Sequence, residues 1–389
     1  MEKRIKEYLE EKKRAGLLRS LKPVTILDKG RLLAGGKEFV NFSSNDYLGL
    51  AGHPDIIKAA KDALAPVFGT SSSRLMAGDT VLHNVLEERT AVFKKKEAAL
   101  VFNSGYQANV GIISALCGKG DVIFSDRLNH ASIVDGIMLS GARFFRFRHN
   151  DPGHLEELIA AERKKYKNVL IVTETVFSMD GDVAPLIDLA KIKRKYDALL
   201  MVDEAHATGI FGPNGEGIAE ETGARRDCDI IMGTFSKALG GFGAYAATSS
   251  MIKEYLINTS RSFIYSTALP ASIINADITA LEIVKQEPFR RKSLLANAAY
   301  LRERLSEEGF SVGGVSQIVP VVIGENEKTV GFAEKLKQKG YWVTPVRPPT
   351  VPAGSARLRI SLTYDHDRCI LDRFIADIMD INKDDTCRK

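Results

Sequence analysis

Short apolar runs alternate with amphipathic helical patterns through the middle of the chain, from about residue 46 to residue 285. Each run is continuously apolar, which is typical of a parallel strand buried on both faces. We predict strands at residues 99–102, 121–124, 169–172, 198–202 and 229–233. Helical patterns at residues 155–166 and 185–196 precede two of these strands. The alternation predicts right-handed βαβ units and a mostly parallel central sheet.

The pattern changes after about residue 290, where a long helical segment is followed by short strands and a closing helix. These elements are predicted at residues 292–308, 318–323, 342–344, 357–362 and 365–381. We therefore predict an α/β fold with a large domain at residues 46–285 and a smaller α+β C-terminal domain at residues 286–389. Residues 1–45 are predicted to form an N-terminal arm.

Composition and charge exclude several classes of protein. The 389 residues are 44% hydrophobic, which is enough for a sizeable core. No apolar stretch approaches the length of a membrane span, and a net charge of +5 is too small for a nucleic-acid-binding surface. Residues 1–14 are amphipathic and contain acidic residues, unlike a transit peptide, so we expect a cytoplasmic protein. The run of lysines at residues 94–96 is predicted to lie on a solvated face.

No metal site is predicted. The cysteines lack the paired spacing of a structural zinc site, and they favour a reducing compartment. They are Cys117, Cys228, Cys369 and Cys387. His149 and His154 flank a turn and helix start, and we do not expect them to bind a metal.

Lys237 stands between the predicted strand at residues 229–233 and a glycine-rich turn, beside the hydroxyls of Thr234 and Ser236. A lysine at the end of a core strand is unusual, because its ammonium group is costly to desolvate. Such a lysine is well suited to forming a Schiff base with a carbonyl group. The alternative is a surface-loop lysine that happens to follow a strand.

A second polar group, Asp203, ends the apolar run at residues 198–202, and His206 follows three residues later. Ligands of open α/β sheets bind at the carboxyl ends of the strands. A lysine together with a buried carboxylate suits pyridoxal phosphate, whose ring is an electron sink only while its pyridine nitrogen stays protonated. Asp203 is the candidate partner of that nitrogen, and His206 could reach the phenolic oxygen. The alternative is an aspartate that caps the next helix.

Other strand ends also carry polar groups. Ser104 and Gly105 follow the first predicted strand and open a helix, so backbone N–H groups there could bind a phosphate. His130 follows the second strand and could stack on a pyridine ring. Ser178 follows the third strand and could contact a ring oxygen or the Schiff base. Taken singly, each could be an ordinary turn residue or a structural histidine.

In the C-terminal domain, Arg357 and Arg359 lie on one side of a predicted strand, because alternate residues of a strand share a face. A guanidinium group is the natural clamp for a substrate carboxylate. The alternative is a surface strand that carries two cations.

Four segments together resemble the α-oxoamine synthase family of pyridoxal-phosphate enzymes, which has the aspartate-aminotransferase-like fold, fold type I. They are residues 41–50, 203–209, 234–241 and 357–361. The resemblance implies that Lys237 binds the cofactor covalently and acts as the base at the amino acid's α-carbon. It implies that Asp203 pairs with the pyridine nitrogen, that His206 pairs with the phenolic oxygen, and that His130 stacks on the ring.

The resemblance also implies a phosphate site. Gly105 and Tyr106 would donate backbone N–H groups to the phosphate, with Thr234 nearby. Ser266 and Thr267 would reach the phosphate of the neighbouring subunit in a homodimer with interface active sites.

The substrate residues implied by the resemblance are Arg359 for the amino acid carboxylate, and Asn45 and Arg19 for the lining of the site. The family condenses an amino acid with an acyl thioester and releases CO2. Residues 149–156, 205–212 and 261–270 most resemble the biotin-forming branch, which joins L-alanine to a pimeloyl thioester of coenzyme A or acyl carrier protein.

Five alternatives stay open at this point, of which the less favoured two are 5-aminolevulinate synthase and serine palmitoyltransferase of the same family. A glycine C-acetyltransferase of the same family differs by the room for one methyl group, which a pocket discriminates weakly. An aminotransferase shares the fold and the lysine–aspartate pair but needs no thioester. A pyridoxal-phosphate-binding regulator would keep the cofactor site without turnover.

Overall fold

The computed structural model describes residues 1–386 and divides into two compact units. We call residues 46–178 and 183–292 the central unit. Residues 1–45, 179–182 and those from Ser293 onward form the terminal unit. The predicted arm therefore groups with the C-terminal residues, and the division near the start of the smaller domain falls after Lys292 rather than after residue 285.

Strands and helices alternate through most of the central unit. Within residues 1–386 the strands are, in chain order, β1 (Thr25–Ile26), β2 (Arg31–Ala34), β3 (Lys37–Asn41), β4 (Ala98–Phe102), β5 (Val122–Asp126), β6 (Arg143–Phe147), β7 (Val169–Glu174), β8 (Leu199–Asp203), β9 (Ile230–Thr234), β10 (Ala244–Thr248), β11 (Ser311–Val312), β12 (Ile318–Gly324), β13 (Tyr341–Trp342), β14 (Thr344–Val346) and β15 (Ala356–Ser361). The α-helices are α1 (Glu2–Arg14), α2 (Pro54–Asp62), α3 (Val81–Lys94), α4 (Gly105–Leu116), α5 (Ala131–Ser140), α6 (Pro152–Glu162), α7 (Leu186–Lys195), α8 (Ile218–Glu221), α9 (Ser250–Thr259), α10 (Arg261–Ile264), α11 (Ala271–Gln286), α12 (Pro288–Glu307), α13 (Asn326–Gln338) and α14 (Arg368–Thr386).

The central unit is built on a seven-stranded sheet with the order β4-β10-β9-β8-β7-β5-β6. The pairs from β9 to β6 are parallel, whereas β10 is antiparallel to both β4 and β9. The prediction of a mostly parallel sheet is confirmed. Strand β10 was not predicted, because three of its five residues are alanine, which is depleted in strands.

A hydrophobic core cluster packs between this sheet and its helices, and it includes Leu100, Ile112, Ile123, Met201 and Met232. In contrast, four parallel strands end in a buried polar residue. These residues are Asp126 on β5, Glu174 on β7, Asp203 on β8 and Thr234 on β9. Because the carboxyl ends of parallel strands meet at one edge, the fold collects polar chemistry at that edge.

The terminal unit contains two four-stranded sheets, with the orders β1-β2-β3-β13 and β11-β12-β15-β14. In the first, Val40 of β3 pairs in parallel with Tyr341 of β13. This pairing is the physical reason that residues 1–45 group with the C-terminal residues in one compact unit. The amphipathic segment at residues 1–14 forms helix α1 (Glu2–Arg14), whose residues are all at least partly exposed.

Lys94 corrects one expectation from the sequence. The lysine run at 94–96 was predicted to be solvated, but the Lys94 side chain is 1% exposed. Its Nζ lies 2.6 Å from Glu204 Oε2, and this carboxylate supplies the charge that makes burial of the ammonium tolerable.

Within residues 1–386, no helix has the length and apolar character that a membrane span requires. Cys117 and Cys228 are buried and Cys369 is exposed, while Cys387 lies outside the described residues.

Candidate active site

Lys237 follows the end of β9 and is half-buried. Its Nζ lies 2.7 Å from Nε2 of His206. The chain turns sharply just after the lysine, at Gly240, where φ is +67° and an added Cβ would lie 2.4 Å from the backbone nitrogen of Ala51. Only glycine suits this conformation and close approach. The turn therefore fixes the backbone that presents the lysine to His206.

His206 is held at both ring nitrogens. Its Nδ1 lies 2.7 Å from the hydroxyl of Tyr47, which is fully buried. A neutral imidazole has one donor and one acceptor nitrogen, so Tyr47 and Lys237 together fix its orientation. Tyr47 was part of the family-like segment at residues 41–50 but received no role, because 159 residues separate it from His206.

The carboxylate of Asp203 is buried and accepts a hydrogen bond at each oxygen. Oδ1 accepts from the backbone N–H of Ala205 at 2.8 Å, and Oδ2 accepts from Nδ2 of Asn109 at 2.9 Å. Asn109 was not predicted to be a site residue. Its position four residues after Gly105, one turn into the same helix, is the signal that could have found it.

Glu174 lies beside Asp203, since the two residues are paired in register across β7 and β8. It is also buried, and burial together with the negative charge of Asp203 raises its pKa well above the ordinary value, with Lys237 opposing. The sequence interpretation singled out only Ser178 after this strand, and Ser178 is half-buried. Glu174 was missed because the predicted strand ended two residues too early.

His130 caps the N-terminus of α5. Its Nδ1 accepts a hydrogen bond from the backbone N–H of Ser132 at 3.2 Å. The edge of its ring meets Tyr106, with the ring centroids 6.5 Å apart and the planes at 81°. The residue as a whole is exposed, but its imidazole is partly buried, and this burial lowers its pKa. The positive charge of Lys237 lowers the pKa further, whereas the negative charge of Asp203 raises it. The neutral imidazole therefore dominates at pH 7.

The first turn of α4 provides the predicted anion site. Ser104 is the N-cap, and its hydroxyl accepts from the backbone N–H of Gln107 at 3.3 Å. Gly105 and Tyr106 are the first two helical residues, so their N–H groups have no acceptor within the helix. A Cβ added to Gly105 would meet its nearest heavy atom only at 3.9 Å, which leaves room for a ligand. At the end of β9, the hydroxyl of Thr234 donates to a backbone carbonyl at 2.7 Å.

Ser266 and Thr267 lie near the start of α4 of their own chain. The hydroxyl of Ser266 accepts from Nε2 of Gln107 at 3.4 Å, and the carbonyl oxygen of Thr267 accepts from Nδ2 of Asn103 at 2.7 Å. Their contact with the phosphate of a neighbouring subunit stays a prediction.

Two of the predicted substrate residues meet within the terminal unit. Arg359 of β15 is buried, and its guanidinium donates to the hydroxyl of Ser361 at 2.6 Å and to Oδ1 of Asn45 at 3.3 Å. Arg19 is exposed, and its guanidinium donates to the hydroxyl of Thr350 at 3.4 Å. The structure thus joins Asn45 to Arg359 and gives Arg19 a different partner.

Comparison with known proteins identifies the family. The aminotransferase class I and II family matches residues 37–378. The chain is 50% identical over 389 residues to an 8-amino-7-oxononanoate synthase of Geobacter sulfurreducens, with 99% of both chains covered. It is 47% identical over 380 residues to that of Citrifermentans bemidjiense, with 97% of both covered. The chain belongs to the α-oxoamine synthase family.

Solved structures agree with this assignment. A serine palmitoyltransferase from S. paucimobilis, with a bound pyridoxal phosphate–myriocin aldimine, is 30% identical with a TM-score of 0.92, over 97% of this chain and 96% of that one. An 8-amino-7-oxononanoate synthase from Francisella tularensis is 30% identical with a TM-score of 0.75, over 90% and 99%. The predictions of fold type I and of pyridoxal phosphate as the cofactor are confirmed.

The side chains of this α-oxoamine synthase fit the chemistry of that cofactor. Lys237 offers an amine for the aldehyde, and Asp203 offers a carboxylate whose two oxygens are already oriented by N–H donors. The open N-terminus of α4 at Gly105 offers uncommitted N–H groups and a partial positive charge for the phosphate. The aldehyde, the pyridine nitrogen and the phosphate of the cofactor thus each have a candidate partner of the complementary kind.

Asp277 of α11 gives a pH-dependent prediction for the glycine-rich turn. Its side chain is buried, and Oδ1 accepts from the backbone N–H of Phe242 at 3.2 Å. Burial raises its pKa well above the ordinary value of 3.8. At pH values between the ordinary pKa and the raised pKa, the folded protein binds more protons than the unfolded chain. Folding stability therefore falls as pH rises through this range. Asp277→Asn removes this titration. We therefore expect the thermal midpoint of the variant, minus that of wild type, to become more positive from pH 4 towards pH 8.

The measurement is a series of thermal melts across that pH range, with Asp188→Asn as the control at an exposed helix position. A difference between Asp277→Asn and wild type that does not change with pH would show that Asp277 ionises like an exposed aspartate.

Proposed function

We propose that this chain catalyses the decarboxylative condensation of L-alanine with a pimeloyl thioester. The products are 8-amino-7-oxononanoate, CO2 and the free thiol, and the reaction belongs to biotin biosynthesis. The observation that carries the proposal is the 50% identity, over 99% of both chains, to a relative that bears this name. The side chains of Lys237, His206 and Asp203 supply the chemistry that the reaction needs.

Pyridoxal phosphate, when bound, supplies an electron sink for negative charge at the α-carbon of the amino acid. Lys237 removes the α-proton, holds it on Nζ, and returns a proton to the same carbon after CO2 has left. His206, oriented by Tyr47, positions that amine at 2.7 Å. Asp203 holds a proton on the pyridine nitrogen, because a neighbouring carboxylate favours the charged form of the ring. His130 would pack against the ring.

Other residues bind and orient the reactants. Gly105 and Tyr106 would donate backbone N–H groups to the phosphate and so hold the cofactor in place. Arg359 would bind the carboxylate of alanine and so orient the bonds at its α-carbon. That orientation determines whether proton loss or loss of CO2 takes place at each stage.

Arg359→Ala is expected to raise the KM for L-alanine about 10- to 100-fold, as is typical for loss of a hydrogen bond to a charged group. The KM for the thioester is expected to change little, and Arg359→Lys should restore only part of the loss, because an ammonium cannot bind a carboxylate in a bidentate manner. Steady-state kinetics with each substrate varied in turn provide the measurement.

Arg357→Ala is the matched control for Arg359→Ala, since Arg357 is also buried on β15 but pairs with Asp180. We expect it to lower stability without a selective rise in the KM for alanine. Equal effects of Arg359→Ala on both substrates would argue against a carboxylate clamp.

The solved serine palmitoyltransferases provide a second candidate reaction of the same chemical type. Their TM-scores are high, but their sequence identity to this chain is about 30%, against 50% for the Geobacter relative. A shared fold does not decide which substrate is used. Glycine with acetyl-coenzyme A is the third combination to consider, because the pocket must distinguish glycine from alanine by a single methyl group.

Thiol release by the pyridoxal-phosphate-loaded enzyme tests these candidates. The reactions are pimeloyl-coenzyme A with L-alanine or glycine, acetyl-coenzyme A with glycine, and palmitoyl-coenzyme A with L-serine, with the amino ketone identified by mass. Thiol release that requires both pimeloyl-coenzyme A and alanine supports the proposal. Release only with another pair assigns the chain to another branch. Silence in all four calls for pimeloyl-acyl carrier protein as the donor, and failure there too would reject the proposal.

We also propose that the chain forms a homodimer. It is supported by large apolar side chains that the central unit exposes, among them Val67, Phe68, Met76 and Tyr265, each more than 60% exposed. Exposed apolar residues in such numbers are typical of an interface. Light scattering should give about twice the chain mass of 42.7 kDa, and the mass of a single chain would contradict the dimer. The cytoplasmic location stays a prediction.

A further inference from the structure

The side-chain amide of Asn109 sits between two of the predicted cofactor residues. Its Nδ2 lies 2.9 Å from Oδ2 of Asp203 and 2.9 Å from the hydroxyl oxygen of Ser132. Asn109 and Ser132 are each 1% exposed and Asp203 is 4% exposed. An amide nitrogen carries two N–H donors, so it can serve both acceptors at once.

The orientation of this amide follows from its neighbours. The Asp203 carboxylate can only accept while ionised, so the group that faces it must be the amide nitrogen. Within residues 1–386, Oδ1 of Asn109 has no hydrogen-bond partner and is buried. The amide therefore donates one N–H group to Asp203 and the other to Ser132, while its oxygen stays without a hydrogen bond. A buried oxygen without a partner destabilises the fold, so this arrangement indicates that the position of the two N–H groups matters.

The hydrogen bonds continue to His130. The hydroxyl of Ser132 lies 2.7 Å from Nδ1 of His130, and this nitrogen also accepts from the backbone N–H of Ser132. Nδ1 is therefore an acceptor, so the Ser132 hydroxyl donates to it while accepting from Asn109. Burial lowers the pKa of His130, in agreement with a neutral ring that accepts at Nδ1. A directed chain thus links Asp203, Asn109, Ser132 and His130.

The fold explains why one residue reaches both partners. Asn109 lies one turn after Gly105 on α4, Ser132 lies in the first turn of α5, and Asp203 ends β8. Helix α4 therefore presents its N–H groups at its start and the Asn109 amide one turn later. The same helix serves the predicted phosphate site and the predicted partner of the pyridine nitrogen.

We infer that Asn109 is a positioning residue, whose amide fixes the Asp203 carboxylate for the pyridine nitrogen and couples it through Ser132 to the ring-stacking His130. The inference rests on the proposed roles of Asp203 and His130 in cofactor binding, but not on which amino acid or thioester is used. Without the amide, Asp203 keeps only the Ala205 donor and can rotate, and His130 loses the donor chain that sets its tilt.

The test uses the holoenzyme of Asn109→Ala and needs neither substrate. We expect the dissociation constant of pyridoxal phosphate, measured from the visible absorbance on dilution, to rise about 10- to 100-fold. We also expect the midpoint of the pH titration of that absorbance to move upwards, because a less firmly protonated ring withdraws less electron density from the Lys237 nitrogen. An unchanged constant and an unchanged midpoint in a folded variant would overturn the inference.

Two further variants separate positioning from simple loss of packing. Ser132→Ala leaves the bond from Asn109 to Asp203 and cuts only the link to His130. We expect it to change the circular dichroism of the bound cofactor while the titration midpoint stays near wild type; unchanged dichroism would refute the coupling to His130. Asn297→Ala removes another buried amide, in the terminal unit, and should lower the thermal midpoint without altering either cofactor signal.

If Asn109→Ala does not fold, Asn109→Ser takes its place. Its single hydroxyl can donate to one acceptor only, so the dissociation constant and the midpoint should still shift. Wild-type values for both would reject the role of Asn109. Because every readout is a cofactor signal, a negative result in the thiol-release experiment would not by itself affect this outcome.

Discussion

Lys237→Ala is expected to lower the rate of thiol release from pimeloyl-coenzyme A and L-alanine by about 10⁴-fold or more, the upper end of what a positioned general base contributes. In the proposed mechanism the same amine also binds the cofactor covalently, so one substitution would remove both functions. The methyl side chain of the substituted residue 237 cannot accept a proton. It also cannot make the 2.7 Å contact that Nζ of Lys237 makes with Nε2 of His206. Initial rates with excess pyridoxal phosphate measure the loss.

Lys191→Ala is the control, because Lys191 is an exposed lysine on α7 that pairs with Asp188. It should retain wild-type rates. A second readout is the visible absorbance of the bound cofactor, whose pH dependence should disappear in Lys237→Ala. If Lys237→Ala turned over within tenfold of wild type, another group would have to be the base, and the assignment of the whole site would need revision.

The sequence was sufficient to predict which strands of the central sheet are followed by the candidate polar residues. Lys237, Asp203 and His130 each follow a continuous apolar run, and parallel strands bring their carboxyl ends to one edge. In the structure these runs are β9, β8 and β5, and His206 lies in contact with Lys237 as a consequence. Local pattern and sheet geometry together were therefore enough to predict that these side chains lie at one edge of the sheet, and their roles stay predictions.

The residues that sequence reasoning missed are those whose role depends on packing over long separations. Tyr47 reaches His206 across 159 positions, and Asn109 reaches Asp203 across 94. No local pattern records how far α4 is rotated against the sheet, or that β7 and β8 are neighbours, which places Glu174 beside Asp203. The same limit applies to residues 1–45, whose place is set by pairing of β3 with β13 some 300 residues later.

A buried ion pair supports the loop that carries Asp203 and His206. Glu204 lies between Asp203 and His206 in the sequence and forms an ion pair with Lys94. The side chain of Glu204 is 0% exposed and that of Lys94 is 1% exposed. Burial alone would lower the pKa of Lys94, but attraction by Glu204 and Tyr245 exceeds it, and the pKa is raised. The ammonium also donates to Thr208 at 3.0 Å, and Oε1 of Glu204 accepts a backbone N–H at 2.8 Å.

Lys94→Met is expected to destabilise the central unit by about 3–5 kcal/mol, because it leaves the carboxylate of Glu204 buried without a compensating charge. For a unit of this size the thermal midpoint should fall by roughly 10 °C. The double variant Lys94→Met with Glu204→Gln should recover much of the loss, since the glutamine carbonyl can still accept the backbone N–H without a buried charge. Thermal melts of the holoenzymes, monitored by circular dichroism, measure both changes.

The matched control is the same substitution at an exposed pair, Lys191→Met beside Asp188, which should change the midpoint little because exposed ion pairs contribute little. If Lys94→Met were no worse than this control, water would have to reach Glu204 and the pair could not be called buried. If the double variant were as unstable as Lys94→Met alone, the loss would come from packing of the lysine stem rather than from the stranded charge. Recovery in the double variant would show that the charge of Lys94 neutralises Glu204, which directly follows the candidate cofactor residue Asp203 in the chain.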